Sequence, residues 1–133
     1  MEKLFNFLRV IVGVVGGWCG SIFGAWDVML WSLVVLIILD YITGLIKACY
    51  TKKLSSEIGF KGLLKKIVIL IVVILANVMQ NLMGNNLPLR EIVIMFFIAN
   101  EGISLLENIA EMGVKIPEPL RKVLLQLRDK GEA

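Results

Sequence analysis

The longest uncharged stretches of this chain decide what it can fold into. Val10–Trp26, Val28–Leu39 and Ile67–Leu89 contain no Asp, Glu, Lys or Arg, and Ile92–Ala99 opens a fourth apolar stretch. A helix crosses the hydrocarbon of a bilayer with about 20 such residues. The chain has 133 residues, 58% hydrophobic and 19% charged, whereas soluble domains are about half apolar and a quarter charged. A soluble domain this short could not hide that much apolar surface. Disorder requires the opposite composition.

The stretch from Val10 to Ile46 is broken only by Asp27 and Asp40. As one helix it would be about 55 Å long, too long for a bilayer core of about 30 Å. It is therefore read as a hairpin turning near Gly24–Asp27, with Trp26 and Trp31 at headgroup level. Leu4–Leu8 extend the first helix, and Arg9 snorkels back to the surface. A first helix lying in the interface is the alternative. The expected organisation is all-α: an integral membrane protein with about four transmembrane helices in two hairpins plus a short C-terminal amphipathic helix. Its segments are a glycine-rich first helix (1–26), a second helix (28–47), a basic cytoplasmic loop (48–66), a third helix (67–87), an amphipathic fourth helix (91–112) and a C-terminal amphipathic helix (117–130). Asn85, Asn86 and Pro88 mark the turn before the fourth helix, and Gly113 ends that helix. In the last segment Leu120, Val123, Leu124 and Leu127 repeat at helical spacing. That stripe suits either an anionic leaflet or another helix of the same protein.

Charge sets the orientation. Thirteen of the fourteen basic residues fall in the head, in the loop with Lys47, Lys52, Lys53, Lys61, Lys65 and Lys66, and in the tail; only Arg90 lies in an outer turn. The positive-inside rule then puts both ends in the cytoplasm and favours four spans or an interfacial first helix. A net charge of +3 with dispersed basic residues does not fit nucleic-acid binding. The first apolar stretch is too long for a cleaved signal peptide. Cys19 and Cys49, expected at different depths, are read as small buried hydrophobes and not as a disulfide.

The polar residues within the spans are the candidate functional residues. Gly13, Gly16, Gly17, Gly20 and Gly24 form overlapping GxxxG pairs. Such pairs let helices approach closely, either between copies or against the second helix. Asp40 shares a face with Thr43 and Lys47 in the inner half of the membrane. It is read either as facing a pore or a neighbouring subunit, or as snorkelling and pairing with a lysine of the adjacent loop. Asn77, Gln80, Asn81 and Asn85 form a stripe on the third helix. Asn100, Glu101, Ser104, Glu107, Asn108 and Glu111 occupy an arc of about 120° on the fourth. Glu101 is placed near the midplane at the depth of Asn77–Asn81, so the two stripes either make a hydrogen-bonded seam or line water. A midplane carboxylate marks a functional pathway.

No catalytic residue, cofactor or metal site is expected. The chain has no histidine, which excludes histidine triads and histidine-ligated metals. No glycine loop follows a strand to cradle a phosphate.

Five short stretches, in two signatures, resemble a known family. DYITG at 40–44, Ser-Ser-x-x-Gly at 55–59 and KGLLKK at 61–66 resemble its central signature. NEGISLLEN at 100–108 and GVKIPEPL at 113–120 resemble its C-terminal one. The family is the toxin-secretion/phage-lysis holins of bacteriophages and prophages, chiefly of Gram-positive hosts, and the resemblance covers about residues 28–128. Asp40, Gly44, Glu101 and the Gly113/Pro117 corner are the matching positions. The resemblance implies a non-enzymatic homo-oligomer in the host cytoplasmic membrane. It implies assembly at a set time into lesions that release an endolysin, with no direct contact required, or that export a large toxin. Gly44 joins the packing glycines on this basis. A small proton-coupled transporter or ion channel, and a regulatory antiholin-like partner, are the competing functions.

Overall fold

The computed structural model describes residues 1–132 as five helices: α1 (Glu2–Phe23), α2 (Val28–Tyr50), α3 (Ser56–Leu82), α4 (Leu89–Glu111) and α5 (Glu118–Glu132). The first four are long and apolar enough to cross a membrane. α1 ends at Gly24, whose φ of 81° favours glycine. A Cβ there would also lie 2.8 Å from Arg90 Nε and 3.0 Å from Asn77 Oδ1, so glycine is required twice over. Asp27 caps α2 by accepting from the Leu30 N–H at 2.9 Å.

α2, α3 and α4 form the bundle, with α4 packed most closely on α2. Its core is Leu30, Leu33 and Ile37 from α2, Val73 from α3 and Ile94 from α4. α5 folds back along α4. There Leu124 lies over Gly102, where even a Cβ would come within 2.7 Å of it. Of the two readings of the last segment, packing on its own protein is the one observed.

Several boundaries differ from the sequence expectation. The basic loop shrinks to about residues 51–55, because helix α3 starts eleven residues earlier than expected. Ser55 accepts from the Ile58 N–H at 3.1 Å. Ser55 is therefore an N-cap, and Glu57 a favourable first-turn charge, where a loop was expected. α2 runs three residues further, and α3 ends five residues sooner. Cys49 is exposed and Cys19 half-buried, both with free thiols.

The first hairpin is not a packed pair. No residue of α1 is buried, and α1 docks on α3, with Phe23 at its C-terminal end reaching the bundle core. Gly13, Gly16, Gly17 and Gly20 have nothing within 4 Å of a Cβ position, so these glycines do not seat α1 on α2. The accessible surface is 9195 Å², against roughly 7,000 Å² for a compact soluble chain of 14.8 kDa. Val12, Trp18, Trp31, Ile38, Ile71 and Leu75 are among the large apolar side chains left exposed. Lipid or neighbouring protein must cover such a surface.

Candidate functional site

Four of the motifs singled out in the sequence meet at one point in the bundle. α2 contributes Asp40, Tyr41, Thr43 and Gly44, α3 contributes Gly59, Gly62 and Lys66, and α4 contributes Glu101 and Asn108. Asp40 and Glu101 are each 5% exposed. The Lys66 ammonium donates to both carboxylates, reaching Glu101 Oε2 at 2.6 Å and also Asp40 Oδ2. Asn108 Nδ2 donates to Asp40 Oδ1 at 2.9 Å and lies 3.1 Å from Thr43 Oγ1. The Thr43 hydroxyl donates back to the Leu39 carbonyl at 2.9 Å.

Glycines let these helices close on the cluster. A Cβ on Gly44 would touch the Asn108 amide at 3.7 Å. On Gly59 and Gly62 it would lie 3.5–3.6 Å from Tyr41, whose hydroxyl donates to the Gly59 carbonyl at 3.1 Å. With both carboxylates ionised, two negative charges face one positive charge in a buried site. Pairing and full hydrogen bonding are what make such groups tolerable inside a membrane.

A second polar cluster lies at the other end of the bundle. Arg90, 3% exposed, donates from Nε to the Phe23 carbonyl at 2.6 Å and from Nη2 to the Ala25 carbonyl at 2.7 Å. Its Nη1 meets Asp27 Oδ2 at 3.0 Å. Asn77 Nδ2 donates to the Ile22 carbonyl at 2.9 Å, and Gln80 Oε1 accepts from the Arg90 backbone N–H at 2.7 Å. Arg90 and Asn77 thus satisfy carbonyls that the end of α1 leaves unpaired, and Gln80 satisfies an N–H at the start of α4. The Arg90 guanidinium holds the Asp27 carboxyl below its ordinary range; burial opposes this, and the Leu30 N–H adds to it.

The sequence-derived residues therefore sort into two groups and a remainder. Asp40, Gly44, Glu101 and Asn108 come together around Lys66, and Ser104 lies beside them on a cavity wall. Gly24, Asn77 and Gln80 come together around Arg90. Asn81, Asn100 and Glu107 are exposed and join neither cluster. The polar stripes of α3 and α4 do not make one seam, and Glu101 is not level with Asn77–Asn81. It sits level with Lys66, which precedes Asn77 by eleven residues, or about 16 Å of helix. The α4 arc splits: Glu101, Ser104 and Asn108 turn toward α2 and α3, and Glu111 reaches Lys47 of α2, while Asn100 and Glu107 stay outside.

Lys47 pairs with Glu111 at 3.3 Å and Lys61 with Glu57 at 2.9 Å, while Lys52, Lys53 and Lys65 are exposed. Of the two readings of Asp40, pairing with a lysine of the basic stretch is the one observed, although that lysine, Lys66, lies on helix α3 and also binds Glu101. The seven-residue spacing of Lys66 from Gly59, on one helical face, was the available signal for that placement. The sequence places Arg90 in an outer turn and Asp27 in the first hairpin turn, but does not pair them. Among the described residues, no group of three or more Cys, Asp or Glu side chains is placed to hold a metal ion.

The bacteriophage holin family profile matches residues 17–129, which include both clusters. The chain is 45% identical to a Clostridium perfringens protein described as an uncharacterized 14.9 kDa protein in the nagH 3′ region, over 98% of this chain and 99% of that one. It is 42% identical to the uncharacterized protein Lmo0128 of Listeria monocytogenes, over 94% of this chain and 87% of the relative. A probable holin of Bacillus phage phi105 is 45% identical over 85 residues, 64% of this chain and 63% of the phage protein. No solved structure matches the chain.

Proposed function

The chain belongs to the bacteriophage holin family, and from that premise we propose that it assembles in the bacterial cytoplasmic membrane and opens timed lesions through which an endolysin reaches the cell wall. Both termini lie on the cytoplasmic side in this reading, because the basic residues concentrate at that end. The observation that carries the proposal is the state of α1. A helix with four glycines on an uncovered surface, held to the bundle only near its C-terminal end, is free to pack against other copies. The exposed Asn81, Asn100 and Glu107 then supply polar surface for a wetted lesion. The Lys66 cluster holds α2, α3 and α4 together in the subunit. Nothing in this mechanism calls for enzymatic chemistry.

The test is induced expression of the chain alone in bacteria holding a large cytoplasmic reporter enzyme, with an endolysin co-expressed in a parallel culture. Abrupt loss of membrane potential after a delay, with reporter release once the wall is cut, is the expected result. Replacing Gly13, Gly16, Gly17 and Gly20 by leucine should delay or abolish that loss while leaving the protein in the membrane. A slow potential drift without reporter release would instead indicate a small channel or transporter. Healthy cells carrying inserted protein would indicate a regulatory partner.

A further inference from the structure

We infer that the basic end of the bundle holds a binding site for the phosphate headgroup of an anionic phospholipid. The inner halves of α2 and α3 meet at Tyr41, over Gly59 and Gly62, but are not packed together throughout. Between them is a cavity of about 510 Å³. Its floor is the Asp40–Lys66 pair with Asn108, and its mouth carries Lys47, Lys53, Lys61 and Lys65. The carboxylates near these lysines are already engaged. Asp40 and Glu101 share Lys66, Glu57 meets Lys61, and Glu111 meets Lys47. Among the described residues, Lys53 and Lys65 have no carboxylate within ion-pair distance. The Lys61–Glu57 pair is solvent-exposed and the Lys47–Glu111 pair partly so; each is therefore worth little and can exchange for a stronger anion. A phosphodiester entering here meets two uncommitted ammonium groups at once and two more on rearrangement.

The surroundings select a lipid over a soluble phosphate. Ile42 and Ile46 of α2 and Leu64 and Val68 of α3 are exposed on the helices that flank the mouth. Acyl chains attached to the bound phosphate can lie on this apolar surface. Basic recesses between spans on the cytoplasmic side are suited to anionic headgroups. The site depends on the orientation proposed above, with the basic end in the inner leaflet, but not on lesion formation.

The experiment uses the purified full-length chain in neutral detergent, titrated with phosphatidylglycerol, phosphatidylcholine or inorganic phosphate and followed by native mass spectrometry. Phosphatidylglycerol should bind in preference to phosphatidylcholine. The double variant Lys53→Gln, Lys65→Gln should weaken phosphatidylglycerol binding roughly 30-fold. The control Lys115→Gln, Lys122→Gln, on the tail, should stay close to the parent. Both lysine pairs are exposed, and an unchanged helical circular dichroism spectrum confirms that the variants fold. Unchanged binding in the first variant, or equal losses in both, would overturn the site in favour of diffuse attraction. Displacement of the lipid by millimolar phosphate alone would overturn the lipid assignment. Lysis assays do not enter the readout, so failure here is distinct from failure of the holin function.

Discussion

At the level of single residues, the two buried cations determine how the helices are tied together. Among the described residues, Lys66 is the only positive charge facing Asp40 and Glu101. Replacing it with methionine leaves two buried carboxylates side by side. Breaking a buried ion pair in this way costs about 3–5 kcal/mol. Lys66→Met should therefore lower the thermal midpoint in detergent sharply. Adding Asp40→Asn and Glu101→Gln should recover most of the loss, because no unpaired charge is then left. Arg90 acts differently, by binding the end of α1. The native Asp27 carboxyl titrates below its ordinary value of 3.8. The contribution of its pair with Arg90 is thus complete above that value and is lost as pH falls through the lower native one. Proteolytic nicking near Gly24–Trp26 should stay constant down to about pH 4 and rise below it. Arg90→Gln should be nicked already at neutral pH.

At the level of elements, α4 is the hinge of the architecture, with a different partner on each side. Glu101 and Asn108 face α2 and α3, while Gly102 faces Leu124 of α5. Adjacent residues 101 and 102 therefore serve separate interfaces. A methyl at Gly102 displaces only the flexible end of Leu124, so Gly102→Ala should be nearly silent. Gly102→Leu overfills the contact at a typical cost of about 1–3 kcal/mol. It should free α5 and make the 113–117 linker sensitive to protease while the α2–α4 core persists. The helices themselves were legible from hydrophobic runs, and the turns at Gly24–Asp27 and Asn85–Pro88 from their residues. The start of α3 was not. Ser55 and Ser56 have the same composition whether they occupy a loop or cap a helix, and only the observed bond from Ile58 distinguishes the two.

At the level of the whole molecule, one face is incomplete by itself. The surface exceeds that of a compact soluble chain of its mass, and the surplus is apolar along the four long helices. The orientation proposed for this surface has a direct check. Cys49 is exposed at the basic end of α2, while Cys19 lies half-buried on α1. In a Cys19→Ser background, a membrane-impermeant maleimide should label Cys49 in inside-out vesicles and not in intact cells whose outer barriers have been removed. The reverse pattern would invert the topology.

The sequence by itself determined the all-helical, membrane-spanning character of the chain. Runs of about 20 apolar residues have few other stable solutions, and charge bias along the chain is a property of composition and order. It also named most members of the two polar clusters, because a polar residue inside an apolar run stands out wherever it lies. Partnership was decided only in three dimensions. Lys66 and Glu101 are 35 residues apart, and Arg90 reaches Phe23 across 67. Helical periodicity assigns a residue to a face of its own helix but does not say which neighbour that face meets or at what depth. The tertiary structure placed Glu101 level with Lys66 and left the α1 glycines uncovered. The physical reason is that packing between helices depends on shape and on satisfying buried charge, neither of which can be read from one helix at a time.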